Sequence, residues 1–425
     1  MAFGLDILRT DSFVEMKQEL FQALDSYTEV FPKPANSMVL LKPNLNSSMN
    51  ALTGNTTDLR VLSLLIQFLK EKGYTDITIG EGTNSGFYRN KIGVISRLNV
   101  DKLAAYFGIK IKDFNYSEPH QIEFEDGVKA QVAKECASAD LFINLPKLKT
   151  HFEVGMSVCL KNLIGCLIGQ ENKKQTHKSL AANILRLNQQ VKPHLHIVDG
   201  LIAMEGLGPT RGTPLRLDTL LVGTDPYLLD LCCAHLAGFD YRRVATLKQA
   251  EEKGLLTAEH HRIAAGLELH QKAVKFEPPT ANRFAGFVHH PARQKYFLEI
   301  RNTAIFSHLA AADWFGKLLF LTGLRQDVFS KEEMVFDSLS LEADLCDGCG
   351  LCKQYCPLER DLPGQLPDRR NECLQCLYCF MICPRQAIRF EGTPGFLEEQ
   401  IRQYDRRIRA LHVSPKTENT KAIRP

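Results

Sequence analysis

The chain has little excess charge and lacks a long uncharged apolar run. Its 52 Lys and Arg residues against 49 Asp and Glu residues leave a net charge of +3. This balance argues against nucleic acid as the main partner, because phosphate backbones are bound by a clear excess of cations. The most apolar stretch, residues 304–324, contains His308, Asp313 and Lys317, so we expect no membrane span.

Signatures of export and of nucleotide binding are also missing. The first residues have no basic segment before an apolar core, so we expect no signal peptide. No G-x4-G-K-[ST] motif occurs, which argues against a nucleotide-hydrolysing P-loop. Residues 80–86 are spaced G-x-G-x3-G, which breaks the dinucleotide fingerprint, and residues 206–212 are predicted to form a turn-rich hairpin.

The 13 cysteines carry the clearest spacing pattern of this sequence. Eight of its 13 cysteines lie in two segments that both read C-x2-C-x2-C-x3-C-P. In bacterial ferredoxins the first three cysteines of such a segment hold one cluster and the fourth ligates the other. The spacing therefore predicts two 4Fe–4S clusters, one held by Cys346, Cys349, Cys352 and Cys383, and one held by Cys373, Cys376, Cys379 and Cys356.

Other roles for these cysteines fit less well. Zinc ribbons use paired C-x2-C knuckles rather than triplets, and disulfides need an oxidising compartment. Residues 341–392 resemble the two-cluster bacterial-type ferredoxin domain. Oxygen-sensitive clusters without a targeting signal predict a cytoplasmic location. The remaining five cysteines show no ligand spacing and are predicted to be small buried residues: Cys136, Cys159, Cys166, Cys232 and Cys233.

The larger part of the chain alternates short apolar strands with helices. This alternation over residues 37–240 predicts an α/β fold, an open and mostly parallel sheet with helices on both faces. Residues 1–36 are expected to form one helix and a turn. The predicted organisation is an α/β domain (1–240), a helical extension or connector with helices at 242–253 and 303–321 (241–340), a small ferredoxin-like α+β domain (341–396), and a charged helix with a disordered tail (397–425).

Polar segments follow the carboxyl ends of the predicted strands. In open α/β sheets ligands bind at that edge. Several lysines there favour an anionic ligand, a carboxylate or a phosphate, and a histidine near neutral pKa can transfer protons or bind metal. We expect catalytic roles for His151, Lys147 and Lys161, and substrate-binding roles for Lys42, Asn44, Glu81, Asn144, Lys149, Asn162, Asp199 and Asp225. A single lysine after a strand is usually a solvated loop residue, and it is the number of such residues at one predicted edge that favours a site.

Five motifs of this region also carry a family resemblance. They are LKPNL (41–45), NLPKLKTH (144–151), LKNLIG (160–165), VDG (198–200) and AMEGLGP (203–209). Together they resemble the family called domain of unknown function 362, which is often fused to a ferredoxin domain. The resemblance implies an α/β domain of its own type but no settled reaction. The family is also loosely similar to nickel-pincer lactate racemases.

Three functions are compatible with this sequence, which leaves open whether the chain is an enzyme. In the favoured one, an iron–sulfur oxidoreductase, the two clusters pass single electrons to or from an anionic small molecule or a further, unknown cofactor at the sheet edge, and a redox partner protein is expected. The second is a non-catalytic electron-transfer or sensing module that docks a partner oxidoreductase. The third is a non-redox protein that binds or isomerises an anion, with structural clusters.

Overall fold

Strands form where short runs of leucine, isoleucine and valine are bounded by polar or glycine residues. The computed structural model describes residues 4–10, 12–269, 273–279, 330–367 and 373–412. Its strands are β1 (Leu5–Arg9), β2 (Met38–Pro43), β3 (Asp76–Glu81), β4 (Lys110–Asp113), β5 (Pro119–Glu123), β6 (Lys129–Ala133), β7 (Leu141–Leu145), β8 (Lys147–His151), β9 (Gly155–Ser157), β10 (Leu195–Glu205), β11 (Thr213–Gly223), β12 (Val335–Leu341) and β13 (Ile388–Thr393).

The main sheet has the order β1-β11-β10-β7-β2-β3-β4, with β8 paired to β10 and β9 paired to β8. The pairs from β10 to β4 along this order are parallel, whereas β11 runs antiparallel to both β10 and β1. The α/β fold with a mostly parallel sheet is therefore confirmed.

Helices cover both faces of this sheet, as alternate residues of its strands show. Leu41 and Ile143 pack in one apolar core with the first two helices, whereas their neighbours Leu40 and Phe142 pack in another. Successive side chains of a strand point to opposite faces, so both faces are buried. This explains why the parallel strands are almost continuously apolar.

The helices begin at polar caps. Asp58 and Asp225 accept backbone N–H bonds at the start of their helices, and Pro226 occupies the first turn of the latter. The helices are α1 (Phe13–Ser26), α2 (Leu59–Glu71), α3 (Ser85–Arg89), α4 (Val94–Arg97), α5 (Val100–Phe107), α6 (Lys134–Ser138), α7 (Cys159–Asn162), α8 (Gly169–Thr176), α9 (Leu180–Gln190), α10 (Pro226–Leu236), α11 (Ala245–Glu252), α12 (Ala258–Gly266), α13 (Leu351–Gln354), α14 (Tyr378–Ile382) and α15 (Leu397–Ala410).

Three features of the sheet differ from the sequence-based expectation. The N-terminal residues form an edge strand, β1, before the predicted helix. The segment expected as a polar loop after β7 is instead the strand β8. Strands β10 and β11 are long and antiparallel rather than short and parallel, and the turn-rich hairpin predicted at 206–212 joins them. Periodicity along the chain does not reveal strand direction, and direction decides the position of Asp225 described below.

Residues after 240 continue to pack on the sheet. Val244, Leu247 and Ala264 of the α11–α12 region share an apolar core with Leu228 and Leu231 of α10. The expected helix at 303–321 and the tail beyond 412 lie outside the described residues. Within the described part of the chain, no helix is long and apolar enough to cross a membrane.

The C-terminal domain is a small α+β unit. Strands β12 and β13 form an antiparallel pair, and α13 and α14 each follow a cysteine loop. Helix α15 returns to the main domain, where the Tyr404 hydroxyl donates to the carbonyl oxygens of Thr210 (3.2 Å) and Gly212 (3.1 Å). Side chains of α14 and α15 belong to the same apolar core as those of α2, so the two domains share buried surface.

Candidate functional site

Each cysteine loop turns through two residues with left-handed backbone. In the first loop these are Gly348 and Gly350, with φ of +71° and +73°. In the second they are Gln375 and Leu377, with φ of +56° and +58°. Only the first loop uses glycine, the residue that adopts this conformation without strain. The repeated backbone geometry matches the repeated spacing, so both loops are shaped for the same kind of ligand.

The pKa shifts of the thiols indicate which cysteines lie near one another, and the neighbours come from both cysteine segments. Burial and the nearby thiols of Cys349 and Cys383 raise the pKa of Cys352 to about 11. Burial and the thiols of Cys373 and Cys356 likewise raise the pKa of Cys379. These neighbours fall mainly within the predicted sets, Cys346, Cys349, Cys352 and Cys383 in one, and Cys356, Cys373, Cys376 and Cys379 in the other, and Cys352 also acts on Cys379 across the two.

Backbone N–H groups donate to the sulfur atoms of both groups. The N–H of Gln375 donates to the Sγ of Cys373 (3.2 Å), and the N–H of Ala387 donates to the Sγ of Cys383 (3.3 Å). Such bonds stabilise thiolates and tune the potential of a bound cluster. Sets of four thiolates with N–H donors fit the ligand requirement of iron–sulfur clusters, which supply single-electron chemistry when bound.

The two groups differ in burial. Cys346 and Cys349 are exposed, whereas every member of the second group is buried or partly buried. The second group lines a small cavity whose walls include Leu339 and Tyr378. One cluster position therefore faces solvent, whereas the other is enclosed.

Two tyrosines beside ligands of the enclosed group hold it against the main domain. The Tyr378 hydroxyl accepts the N–H of Leu59, at the start of α2, over 3.5 Å. The Arg60 guanidinium lies 3.9 Å from the ring centroid of Tyr355, and Asp58 pairs with that guanidinium at 2.8 Å. A desolvated contact of this cation–π type contributes about 2 kcal/mol. The enclosed cluster position thus lies directly over the first turn of α2.

At the carboxyl ends of the parallel strands, Lys42 is fully buried in an ion pair. Its Nζ lies 2.9 Å from Oε2 of Glu81, which also accepts the N–H of Leu45. A Cβ at Gly165 would overlap Oε1 of Glu81 and lie 2.7 Å from the Lys42 ammonium. This close approach explains the glycine that ends the LKNLIG motif.

The amide side chains of this edge form a connected chain of hydrogen bonds. Asn44 donates to Asn162 (2.8 Å), and Asn162 donates to Asn144 (2.7 Å). The Lys149 ammonium donates to the Asn44 side-chain oxygen (2.9 Å) and to the Asn55 carbonyl oxygen (2.7 Å). Because all these groups are buried, their polar atoms need such partners.

A second ion pair lies beside the domain contact. Lys147 and Asp199 are both fully buried, with 2.9 Å between Nζ and Oδ2, and that carboxylate also accepts the N–H of Asp58 (2.7 Å). Burial opposes ionisation of Asp58, but Arg60 holds the pKa of that carboxyl below its ordinary value. The ion pair at the sheet edge is thereby linked to the residues that contact the cluster domain.

Lys161 differs from the other predicted lysines. It is partly exposed, and no ion pair or hydrogen bond holds its ammonium among the described residues. Burial lowers the pKa of Lys161 to about 8, an effect that the nearby carboxylate of Glu153 opposes. Burial and then Lys161 lower the pKa of His151 well below its ordinary value. The Nδ1 of His151 accepts the N–H of Glu153 (3.1 Å), so a neutral ring carries its proton on Nε2.

The structure contradicts the expected position of Asp225. Because β11 is antiparallel, its last residue Gly223 pairs with His196 at the start of β10, at the opposite edge of the sheet. Asp225 caps α10 there and lies 3.4 Å from Nε2 of His260. It does not join the other predicted residues.

Comparisons with known proteins agree with these two parts. A family model described as domain of unknown function (DUF362) matches residues 39–235, and one described as a 4Fe-4S dicluster domain matches residues 338–384. The thylakoid-associated protein sll1697 of Synechocystis sp. is 30% identical over 238 residues, which cover 53% of this chain and 70% of that protein. The chain belongs to the DUF362 family.

Solved structures show weaker likeness to this DUF362 chain. The lactate racemase apoprotein from Thermoanaerobacterium thermosaccharolyticum has a TM-score of 0.30 at 11% identity and covers 47% of this chain. A protein from Thermotoga maritima has a TM-score of 0.35 at 14% identity and covers 55% of this chain. The chain spans 48% of the racemase and 61% of the Thermotoga protein. Scores this low carry no functional argument.

Several residues of this candidate site were not predicted from the sequence. Asp58 and Arg60 complete the charge network at α2, and Lys173 binds the carbonyl oxygens of Gly82 (3.0 Å) and Thr83 (2.8 Å). Asp58 could have been found from the sequence, because an aspartate directly before an apolar helical pattern is typical of a helix N-cap. No pattern in the sequence indicates the role of Lys173, because its segment is polar throughout, which is typical of a solvated helix.

Replacement of Gly165 by alanine tests the close packing at the Lys42–Glu81 pair. We expect Gly165→Ala to lower the free energy of unfolding by about 3 kcal/mol, because the methyl group displaces a buried carboxylate from its partner. The measurement is urea denaturation followed by circular dichroism. Gly266→Ala is the control, since no atom lies within 4 Å of the added methyl group. Equal stability of the two variants would contradict the packing argument.

Proposed function

We propose that this chain binds two 4Fe–4S clusters and passes single electrons between a redox partner protein and an anionic small molecule held beside Lys161 and His151. The observation that carries the proposal is the unequal placement of the two thiol groups. One, with Cys346 and Cys349, faces solvent, and the other is enclosed over α2. An exposed cluster suits exchange with a partner, and an enclosed one suits delivery within the chain.

The proximity of the two thiol groups supports transfer between them. The Cys352 thiol of the exposed group lies close enough to Cys379 of the enclosed group to help raise its pKa. Cluster potentials span about −700 to +450 mV, so the direction of flow depends on the surroundings of each cluster. The protein's own residues contribute the thiolates, the N–H donors and the enclosing wall.

Lys161 supports the anion-binding part of the proposal. Lys42, Lys147 and Lys149 are bound internally, which leaves Lys161 as the predicted lysine whose ammonium is uncommitted within the described chain. A neutral His151 would add a second N–H donor from Nε2. Together the two groups suit a small carboxylate or phosphate.

A second candidate is an electron-transfer module without catalysis of its own. The specific observation in its favour is that three of the four expected lysines bind internal oxygen atoms, in ion pairs for Lys42 and Lys147, rather than face an open cleft. In that case the partner oxidoreductase performs the reaction. The wild-type chain would then show no turnover with an artificial reductant, and Cys373→Ser would lose a partner captured from the native host.

The location proposed for this chain is a reducing compartment such as the cytoplasm, where exposed thiolate-bound iron persists. The name of the Synechocystis relative records association with thylakoids. Association of this chain with a membrane-bound redox partner is compatible with the exposed thiol group and requires no span of its own.

The crossed ligand sets can be tested by two single substitutions. Cys383→Ser should remove the cluster held with Cys346, and Cys356→Ser should remove the one held with Cys373, although each serine lies in the other segment. We expect about eight irons per chain in the anaerobically reconstituted wild type and about four in each variant, with different electron paramagnetic resonance signals remaining. Cys232→Ser, a buried cysteine remote from both sets, is the control. Loss of the same signal in Cys383→Ser as in Cys376→Ser, rather than as in Cys349→Ser, would contradict the crossing.

The role of Lys161 predicts a particular pH dependence of anion binding. Since the pKa is about 8, affinity for acetate, which stays ionised in this range, should be flat from about pH 6 to pH 8 and fall roughly tenfold per pH unit above it. Lys161→Met should lose this binding at pH 7, measured by isothermal titration calorimetry. The neighbouring exposed lysine gives the control Lys178→Met, which should bind as the wild type does. Equal affinity of Lys161→Met and wild type would remove Lys161 from the site.

The same substitution should stabilise the fold. The folded-state pKa of Lys161 is lowered, so the folded chain binds fewer protons than the unfolded chain between about pH 8 and the ordinary lysine value, and stability rises with pH across that window. At pH 7 the buried charge therefore costs stability. We expect Lys161→Met to raise the free energy of unfolding by about 1 kcal/mol at pH 7 and to leave it unchanged at pH 11. A loss of stability at pH 7 would contradict this.

A further inference from the structure

The main domain places cations against the cluster domain, and one of them lacks a carboxylate partner. Arg60 pairs with Asp58 at 2.8 Å, and Arg97 pairs with Glu333. Lys102, on α5, instead donates from Nζ to the side-chain oxygen of Gln375. In the described parts of the chain no carboxylate forms an ion pair with the Lys102 ammonium.

Lys102 reaches the enclosed cluster position through the second cysteine loop. Gln375 is one of the two left-handed residues of that loop, and its N–H donates to the Sγ of Cys373. Asn99, also from the main domain, donates to the Gln375 carbonyl oxygen over 3.3 Å. Burial lowers the pKa of Lys102, and Asp101 and the thiols of Cys373 and Cys376 oppose that effect. The ammonium is therefore within electrostatic reach of two ligands of the enclosed cluster.

A charge at this place has a definite effect on a bound cluster. Adding an electron to a cluster held by four thiolates increases its negative charge, and burial makes that increase costly. A cation nearby reduces the cost, and it does so most strongly where water is excluded. Asp101 offsets part of this effect, but its Oδ1 accepts the backbone N–H of Lys102 (2.8 Å) rather than the ammonium.

We propose that Lys102 raises the reduction potential of the cluster held by Cys356, Cys373, Cys376 and Cys379, so that this enclosed cluster accepts electrons that arrive at the exposed one. Lys102 is a positioning and tuning residue that belongs to the main domain, and the potential of the cluster therefore depends on contact between the domains. The inference rests on the proposed two-cluster function.

The test is an anaerobic redox titration of the full reconstituted chain, followed by electron paramagnetic resonance. We expect Lys102→Gln to lower one of the two midpoint potentials by about 59 mV and to leave the other unchanged. For a one-electron couple this shift is roughly a tenfold change in the equilibrium constant of reduction. Lys102→Arg keeps the charge and should retain the wild-type value. Lys110→Gln removes the same charge from an exposed lysine paired with Asp76 and should change neither potential.

The outcomes separate the two proposals. About eight irons per chain with no shift in Lys102→Gln, or with an equal shift in Lys110→Gln, would overturn the role of Lys102 and leave the two-cluster function intact. An equal downward shift in Lys102→Arg would show that the hydrogen bond geometry matters rather than the charge, and would also overturn it. About four irons in the wild type would overturn the two-cluster assignment, and the inference with it.

Discussion

The burial of lysine charge at the carboxyl edge of the sheet is the constraint on which this structure depends. Lys42, Lys147 and Lys149 expose 1% of their surface or less. Each buried ammonium needs internal oxygen partners, and removal of one partner of such a pair costs about 3–5 kcal/mol. The partners are Glu81 at the end of β3 and Asp199 on β10 for Lys42 and Lys147, and amide and carbonyl oxygens for Lys149. The sheet edge thus holds two internal ion pairs and one lysine bound by neutral oxygens, whereas Lys161 has no ion-pair partner in the described chain.

The same network links the sheet edge to the cluster domain. Asp199 accepts the N–H of Asp58, and Asp58 holds Arg60, whose guanidinium lies on Tyr355. Tyr355 precedes the ligand Cys356 in the chain. A change of charge at the enclosed cluster would therefore act on groups that are a few hydrogen bonds from Lys147.

The sequence predicted the parts of this structure that depend on local spacing. Strands β2, β3 and β7 and both cysteine motifs follow from short-range patterns, and so does the α/β class. Strand direction does not follow from such patterns, so Asp225 was expected at the wrong edge. The pairing of Lys42 with Glu81 joins residues 39 positions apart, and sequence alone does not show whether a lysine after a strand meets solvent or a carboxylate. For this reason the sequence did not distinguish Lys161, which has no ion-pair partner in the described chain, from Lys147, which is paired with Asp199.

The unequal use of glycine means that the two cysteine loops reach the same backbone geometry by different means. Gly348 and Gly350 adopt the left-handed backbone without side-chain strain, so the first loop needs no outside support for its shape. Gln375 and Leu377 adopt it where Leu377 is buried and Gln375 is bound by Asn99 and Lys102. The shape of the second loop therefore depends on side chains of the main domain, whereas the shape of the first is set by its own residues.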